Sequence, residues 1–380
     1  MKLLMLIPTL EYGGAQKIAV GLAEQAVKKK ISVSFITFYG SNDYVNRLST
    51  IGVNVINLNY LKGFNLLNIR HLVILRRKLF KAIHSINPDI IHTHLFLIKY
   101  ILVTYKNENK IPIIDTQHDN SPWWGNVTLK DKFMTFIEKY FFNKIASKVV
   151  AISVSVEHDL LFKIKLKKSK VCKIINFIDI IDSEKKIVSK KIIPNKINIY
   201  VISRLDIRKK GLDQVLLIFE KLIEKSINYR LIFVGDGPDR GVLEKEVESK
   251  KISEYVKFEG FKSDVKPYYK DATLILMPSR WEGFGLVAAE AAYMGVPVVG
   301  SKVGGLKDVI INNKTGYTID FNNIDEFISS IEFLRLNNNS YMQFSENSHK
   351  HACLNYDIRL AFKKYLDLYI SFSGGFSKNL

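Results

Sequence analysis

Two glutamates, Glu282 and Glu290, flank a glycine turn in the segment SRWEGFGLVAAEAAYMGVPVVG, which runs from Ser279 to Gly300. Carboxylates hold hydroxyl groups by accepting hydrogen bonds, and the free N–H groups at the start of a helix bind phosphate or sugar oxygens. Glu290 lies a little over one turn inside the following helix, with alanines on either side of it. A carboxylate packed so closely needs polar partners, which the hydroxyls of a ribose would supply.

A basic loop in the segment VISRLDIRKKGLDQVL carries Arg204 directly after a predicted strand and Lys210 just before a predicted helix. Arginine binds phosphate as a two-pronged donor and lysine binds it as a point charge, so the two together suit a diphosphate. Arg208 and Lys209, which lie between them, fit a solvated basic turn. We therefore expect Arg204 and Lys210 to contact the phosphates.

Two loops in the first half of the chain hold further candidates. Gly13 and Gly14, in TLEYGGAQKIAV, would let the backbone turn tightly and approach a ligand, although a lone glycine pair is also common in simple turns. His118 follows the strand IPIID and is placed to donate to a sugar hydroxyl or to stabilise charge at a reacting carbon. The alternative for His118 is a merely solvated loop histidine, and His94 ranks below it as a supporting residue.

The elements that must position these loops alternate between short apolar runs and longer amphipathic segments. Because the apolar runs are continuous, they indicate parallel strands that are buried on both faces. The alternation stops at a polar, lysine-rich stretch and then restarts, which predicts an α/β fold of two doubly wound, Rossmann-like domains. The expected bounds are 1–181 for the N-terminal domain, 182–196 for a linker, 197–357 for the C-terminal domain and 358–380 for a final helical segment. Ligands bind beyond the carboxyl ends of the strands in such sheets, so the site is expected in a central cleft between the domains.

The composition limits the class of protein. The 380 residues carry a formal net charge of +19 and are 47% hydrophobic, which excludes a disordered chain and indicates an anionic partner. That partner is nucleic acid, an anionic membrane face or a phosphorylated small molecule. The two cysteines lie far apart and indicate a reducing compartment. No apolar run approaches the ~18 residues of a spanning helix, and the N-terminus fits a buried strand better than a signal peptide, so we expect a cytoplasmic protein, at most peripherally attached to the inner face of a membrane.

Together these motifs resemble those of the retaining GT-B glycosyltransferases of glycosyltransferase family four, whose C-terminal half is the glycosyl transferases group 1 domain. The resemblance covers nearly the whole chain and rests on five motifs in the same order, YGGAQK, TQHD, RLDIRKKG, VGDGP and EGFGLVAAE. The chain departs from the family at Asn176–Asp179, where the usual turn is Asn-Gly-x-Asp, and at Asp308, where glutamate is usual.

The resemblance implies a role for each matching residue, with the first domain on the acceptor side and the second binding the donor. His118 and Glu282 would be the catalytic residues, placed beside the transferred sugar. The residues that would bind the nucleotide-sugar donor are Gly13, Gly14, Arg204, Lys210, Phe261, Gly283, Phe284, Gly285, Leu286 and Glu290. Phe261 would lie near the base, and the final helix would cross back onto the first domain. The family uses no metal, and no bound cofactor is implied.

The resemblance implies transfer of a sugar from a nucleoside-diphosphate sugar, a UDP-sugar before a GDP-sugar, with retention at the anomeric carbon. The acceptor would be a hydroxyl of a glycan or of a lipid-linked molecule in bacterial surface polysaccharide, lipopolysaccharide or capsule synthesis. One alternative is a nucleotide-sugar epimerase or dehydrogenase, but the dinucleotide fingerprint G-x-G-x-x-G is absent. The other is a nucleic-acid-binding protein, but no known module for that purpose is present, so nucleic acid is not expected as a partner. The basic segments LFKIKLKKSKVCK and DKFMTFIEKYFFNK suit either an anionic membrane surface or an ordinary solvated face.

Overall fold

The computed structural model describes residues 1–41, 43–60, 69–105, 110–120, 124, 128–179, 196–224 and 229–373. The chain divides into two compact units, Met1–Asn176 with Ile358–Leu380, and Phe177–Asp357. The first unit ends at Asn176, slightly before the expected boundary at 181. The predicted linker, 182–196, lies outside the described residues except for Lys196.

The first unit is built on a parallel sheet whose strands follow the apolar runs of the sequence. Its described strands are β1 (Lys2–Leu6), β2 (Ser32–Thr37), β3 (Asn54–Asn57), β4 (Ile90–His94), β5 (Ile113–Gln117), β6 (Lys148–Ala151) and β7 (Val171–Lys173). They lie in the order β3-β2-β1-β4-β5-β6-β7. β1 is buried from Leu3 to Leu6, since helices cover both faces of a doubly wound sheet.

Amphipathic segments between these strands form the helices of the first unit. They are α1 (Gly14–Lys28), α2 (Val45–Ser49), α3 (Ile69–Ile86), α4 (Phe96–Leu102), α5 (Leu129–Tyr140) and α6 (Val154–Phe162). A π-helical turn, Phe141–Ile145, continues α5. The start of α5 is fixed by a capping box in which Thr128 and Asp131 each accept a hydrogen bond from the other's backbone N–H.

The second unit repeats the same architecture around a second parallel sheet. Its described strands are β8 (Ile197–Ile202), β9 (Tyr229–Val234), β10 (Val256–Phe258), β11 (Leu274–Met277), β12 (Val298–Ser301) and β13 (Gly316–Ile319). Their order is β10-β9-β8-β11-β12-β13. The helices are α7 (Ile207–Lys210), α8 (Leu212–Ile223), α9 (Arg240–Ser249), α10 (Lys266–Asp271), α11 (Leu286–Tyr293), α12 (Leu306–Val309), α13 (Ile324–Leu336) and α14 (Asn338–Asn355). Ile199, Leu231, Phe233 and Leu276 from the strands form the core together with apolar faces of α8 and α13.

The last described helix, α15 (Ile358–Phe372), belongs to the first unit. Its buried Tyr365 and Tyr369 pack against the sheet, where their hydroxyls meet Thr116 and His92. Within the described ranges, no helix combines the length and the apolar character that crossing a bilayer requires.

Candidate active site

In each sheet the strand order reverses between two neighbouring strands, β1 and β4 in the first unit and β8 and β11 in the second. Open α/β sheets bind ligands beyond the carboxyl ends of the strands at such a switch point. In the second unit, β8 leads into the loop with Arg204 and Lys210, and β11 leads into the loop with Glu282. The topology thus brings together two motifs that are far apart in the sequence.

Lys210 and Glu282 form an ion pair between these two loops, although 72 positions separate them. Both side chains are largely buried, and the Glu282 carboxylate also accepts a hydrogen bond from Ser279 Oγ at 3.3 Å. Charged groups removed from water need partners, so each holds the other in place. The pair sets a cation and an acceptor side by side at the switch point.

The backbone of Glu282 is held by a glycine pair that the sequence analysis did not assign. The N–H of Gly305 donates to the carbonyl oxygen of Glu282 at 2.8 Å. Gly304 has φ +41°, and a Cβ at this position would lie 1.9 Å from the same oxygen. Because that atom belongs to the backbone, only glycine fits there. The signal in the sequence was the Gly-Gly that follows β12.

The short helix α7 carries Lys210 and is fixed at both ends. At its start, Asp206 accepts from the N–H of Lys209 at 2.9 Å, and Asp239 accepts from the N–H of Ile207 at 2.7 Å. Asp239 belongs to the loop after β9, whose VGDGP motif therefore supports the basic loop; the N–H of Leu205 also donates to the carbonyl of Asp236 at 3.0 Å. These two hydrogen bonds explain the VGDGP motif as a structural support of the basic loop, so the motif does not require a ligand.

Arg280 holds the other end of α7 and was not identified from the sequence. Its guanidinium donates to the carbonyls of Ile207 and Arg208, at 3.1 and 3.3 Å, and pairs with Asp213 at 2.5 Å. Lysine, as a point charge, could not make these contacts together, since they need several donors in a fixed plane. Arg280 is therefore a positioning residue for Lys210.

Arg204 differs from Lys210 in its exposure and in its ion pairing. Its side chain is exposed, and it makes no ion pair with any residue that the structure describes. Arg208 is exposed as well, so burial does not separate the two arginines. What separates them is position, because Arg204 follows β8 directly at the switch point.

Glu290 lies half-buried on α11, and its partner is a tyrosine that the sequence analysis missed. The Tyr269 hydroxyl donates to Glu290 Oε2 at 2.8 Å, and the ring of Tyr269 is only 1% exposed. Burial, followed by the charge of Glu290 and this hydrogen bond, raises the pKa of Tyr269 well above its usual range. The phenol therefore stays a neutral donor, which orients the carboxylate without neutralising it.

The glycine turn before α11 has a buried side chain that packs in the core, so its backbone N–H groups are the atoms that could contact a ligand. Gly283 and Gly285 are buried, and Phe284 packs edge-on against Tyr356 at a ring distance of 5.4 Å. Phe284 is thus a core residue that could meet a ligand through its backbone N–H only, while Leu286 is half-buried at the start of the helix. Phe261 lies beyond the end of β10 with its ring exposed.

In the first unit His118, directly after β5, belongs to a group of three histidines with His92 and His94, which lie at the end of β4. His118 Nε2 and His94 Nδ1 are 2.8 Å apart and share a hydrogen bond, and the rings of His94 and His92 lie 4.3 Å apart. Burial, and then the positive charge of Lys99, lowers the pKa of His118 to about 3. Burial also lowers the pKa of His92 to about 3, with a smaller effect from His118. His118 is therefore a neutral imidazole at physiological pH, suited to hydrogen bonding.

Lys99 is the buried cation beside this histidine group, and no motif pointed to it. Its ammonium pairs with Asp115 at 3.3 Å and with Glu138 at 3.1 Å. Glu138 also accepts from Trp124 Nε1 at 2.6 Å. Burial lowers the pKa of Lys99, but the two carboxylates outweigh it and the net shift is upward, so the lysine stays charged. These ion pairs join α4, which carries Lys99, to β5 with Asp115 and to α5 with Glu138.

Gly13 and Gly14 lie at the start of α1, beyond β1. Both are exposed, which leaves the first N–H groups of the helix accessible. Gly13 has φ −176° and ψ 163°, an extended conformation that any residue adopts, so the bend that precedes α1 does not use the left-handed freedom of glycine at this position. Among the described residues, no group of three or more His, Cys, Asp or Glu side chains is arranged to hold a metal ion.

Comparison with known proteins shows the family. Residues 12–181 match the model described as Glycosyltransferase Family 4, and residues 182–351 match that described as Glycosyl transferases group 1. A relative named "Uncharacterized 41.2 kDa protein in cps region", from Klebsiella pneumoniae, is 30% identical over 254 residues, 64% of this chain and 68% of the relative.

Two further proteins are similar over nearly their full length. The GalNAc-alpha-(1->4)-GalNAc-alpha-(1->3)-diNAcBac-PP-undecaprenol alpha-1,4-N-acetyl-D-galactosaminyltransferase of Campylobacter jejuni is 26% identical over 379 residues, 97% of this chain and 98% of that enzyme. The crystal structure of Anabaena HepE in complex with UDP and glucose superposes with a TM-score of 0.81 at 19% identity, covering 98% of this chain and 100% of HepE. This likeness confirms the predicted fold class, an α/β protein with two doubly wound domains of the GT-B type.

Proposed function

We propose the following function for this chain, which belongs to the GT-B glycosyltransferases with a Glycosyltransferase Family 4 domain and a Glycosyl transferases group 1 domain. It moves a hexosyl group from a nucleoside-diphosphate sugar to a hydroxyl of a glycan or lipid-linked acceptor, with retention at the anomeric carbon and without a metal. The observation that carries the proposal is the Lys210–Glu282 pair at the β8/β11 switch point, with the exposed Arg204 beside it in sequence.

The donor diphosphate is held by Arg204 and Lys210, whose charges stabilise the leaving group as the bond to the anomeric carbon breaks. Glu282 accepts hydrogen bonds from the sugar hydroxyls. The N–H groups of Gly283–Leu286 contact the sugar and the phosphates. The acceptor oxygen then bonds to the same face of that carbon and gives its proton to the departing diphosphate oxygen, so no protein carboxylate is needed as a nucleophile.

The nucleoside is held further along the same unit. Glu290, oriented by Tyr269, accepts from the ribose hydroxyls, and Phe261 lies near the base. His118, as a neutral imidazole, hydrogen-bonds the sugar near the reacting carbon, and Gly13 and Gly14 approach the donor through the backbone. A UDP-sugar is favoured over a GDP-sugar, because HepE is a UDP complex of the same fold.

The acceptor and the setting are inferred from the relatives. The Campylobacter jejuni enzyme is named for a substrate carried on undecaprenol diphosphate, and the Klebsiella pneumoniae relative for a cps region. We therefore place this enzyme in bacterial surface polysaccharide synthesis, in the cytoplasm and peripherally on the inner face of the membrane. The polysaccharide made would be either lipopolysaccharide or capsule.

The donor is tested by thermal unfolding with UDP-, GDP- and ADP-sugars, since a ligand that binds only the folded protein raises Tm by mass action. We expect the largest shift with a UDP-sugar. Arg204→Ala should abolish most of that shift and reduce turnover, whereas Arg208→Ala, on the same loop, should leave both near wild type. Equal behaviour of the two variants would remove Arg204 from the site. The anomeric configuration of the product, read by NMR, decides between retention and inversion.

A further inference from the structure

The helix α5 presents an apolar stripe to the solvent. Leu129, Phe133, Phe136 and Tyr140 are 85%, 51%, 63% and 42% exposed. Their spacing of four, three and four residues places them on one side of the helix, whereas Thr135, Ile137 and Glu138, which lie outside this stripe, are buried in the first unit. A row of large exposed apolar side chains is costly in water and marks an interaction surface.

An open, lysine-lined pocket of about 610 Å³ adjoins the end of this stripe. Phe136 and Tyr140 form its apolar part. The lining side chains are Phe136, Lys139, Tyr140, Asn143, Lys144, Lys167 and Lys170. We call the stripe and this pocket together the lysine–aromatic surface. It lies wholly within the first unit.

The four lysines of the pocket differ from other lysines of the first unit in their surroundings. Neighbouring lysines are neutralised, since Lys163 pairs with Asp159 at 2.9 Å and Lys173 with Glu157 at 2.7 Å. Within the described part of the chain, none of the pocket lysines makes an ion pair. Burial, and then the charge of Lys148, lowers the pKa of Lys170, as expected for cations crowded without an anion.

The acids of α5 do not offset this charge because both have internal roles. Asp131 closes the capping box at the helix start, and Glu138 is buried against Lys99. The outward side of α5 therefore combines apolar groups with positive charge only. Lys130 and Lys132, both exposed, extend that charge to the first turn of the helix.

We propose that the lysine–aromatic surface docks on an anionic lipid bilayer, with the apolar stripe of α5 in the interface and lipid phosphates in the lysine pocket. A helix that lies in a membrane interface has just this division between apolar and basic groups. A nucleic acid would bind the lysines through its phosphates and stack its bases on the aromatic rings, but this binding mode would not cover the exposed aliphatic side chain of Leu129. The bilayer accounts for both parts of the surface.

The inference deepens the proposed function, on which it rests for the membrane-side setting. Binding to vesicles is measured without donor or turnover. Failure of vesicle binding and failure of sugar transfer are therefore separate results.

The electrostatic part is tested by co-sedimentation with phosphatidylcholine vesicles that contain or lack phosphatidylglycerol. We expect wild type to bind only the anionic vesicles and to lose binding at high salt. The variant K139E/K144E/K167E should bind at least roughly a hundredfold more weakly, since each lysine near an anionic surface contributes about fivefold. The control K245E/K314E/K350E makes the same change in net charge on exposed lysines of the second unit and should retain binding.

The apolar part is tested by L129S/F136S, which alters two exposed side chains and should leave Tm unchanged. It should weaken binding and lessen the blue shift of an environment-sensitive dye attached near α5. The control L336S/L354S removes two equally exposed leucines of the second unit and should bind as wild type. Equal losses in the surface and control variants, absence of binding to anionic vesicles, or tighter binding to single-stranded DNA than to vesicles would each overturn the proposal.

Discussion

Glu282 and Glu290 are the same residue type eight positions apart, and their partners give them different tasks. Glu282 is paired with Lys210, and its carboxylate also accepts a hydrogen bond from Ser279. Glu290 accepts a hydrogen bond from the neutral phenol of Tyr269, which orients its carboxylate. Both carboxylates are placed as hydrogen-bond acceptors, which fits the proposal that they hold hydroxyl groups.

Replacing Glu290 by alanine tests its proposed hold on the ribose. Loss of charged hydrogen bonds should weaken donor binding by roughly 1.5–3 kcal/mol, while kcat at saturating donor changes less. Titration calorimetry with UDP measures the loss. Glu248→Ala, an exposed acid on α9 of the same unit, is the matched control and should bind UDP as wild type. If both variants bound UDP equally well, Glu290 would not contact the nucleotide.

Replacing Lys99 by methionine tests the buried network of the first unit. Asp115 and Glu138 would then be buried without their cation, so we expect the free energy of unfolding to fall by about 3–5 kcal/mol. Urea denaturation measures this value. Lys245→Met, an exposed lysine on α9 without an ion pair to any described residue, should change it by less than about 0.5 kcal/mol. A tolerated Lys99→Met would mean that the two carboxylates take up protons instead.

At the scale of elements, the site is made by loops that hold one another. The loop after β12 supports Glu282 through Gly304 and Gly305, and the loop after β9 supports α7 through Asp239. Parallel strands bring these loops to one edge of the sheet although they are distant in the chain. A substitution in a supporting loop, even one with no proposed contact to a ligand, should therefore move Glu282 or Lys210 and lower the activity.

Gly304→Ala is the sharpest test of this mutual support. Its Cβ would lie 1.9 Å from the Glu282 carbonyl oxygen and the residue has a positive φ, so the turn must move and displace Glu282. We expect a loss of turnover of at least about tenfold together with a lower Tm. Gly241→Ala is the control: apart from its chain neighbours and the backbone of its own helix, no atom lies within 4 Å of its Cβ, and alanine in α9 should stabilise by about 0.5–1 kcal/mol. Unchanged turnover in Gly304→Ala would show that the loop adjusts without moving Glu282.

At the scale of the whole molecule, the sequence was sufficient for the fold class, because continuous apolar runs identified the parallel strands. The ion pair between Lys210 and Glu282 was not predicted, and only the strand order shows that the two loops meet. Residues without a local pattern were missed, because their partners lie on distant elements. Lys99 occurs in an apolar helix and Tyr269 in a polar segment, and only the packing shows that each meets a carboxylate.

The buried histidines make the stability of the molecule depend on pH. The pKa values of His92 and His118 are lowered to about 3, whereas the unfolded chain takes up these protons near 6.5. Below pH 6.5 the unfolded state binds more protons than the native state. The contribution of these histidines to the free energy of unfolding is therefore fully present above pH 6.5 and falls as the pH drops towards 3. For one fully buried histidine the slope approaches about 1.4 kcal/mol per pH unit.

The change in the free energy of unfolding with pH is measured by urea denaturation between about pH 7 and pH 5, a range in which most carboxylates stay ionised. We expect His92→Gln, which keeps polar groups near Thr116 and Tyr369, to be less stable at pH 7 but to lose less stability on acidification. His84→Gln, at an exposed position on α3, should keep the wild-type slope. A wild-type slope in His92→Gln would instead assign the acid sensitivity to other groups.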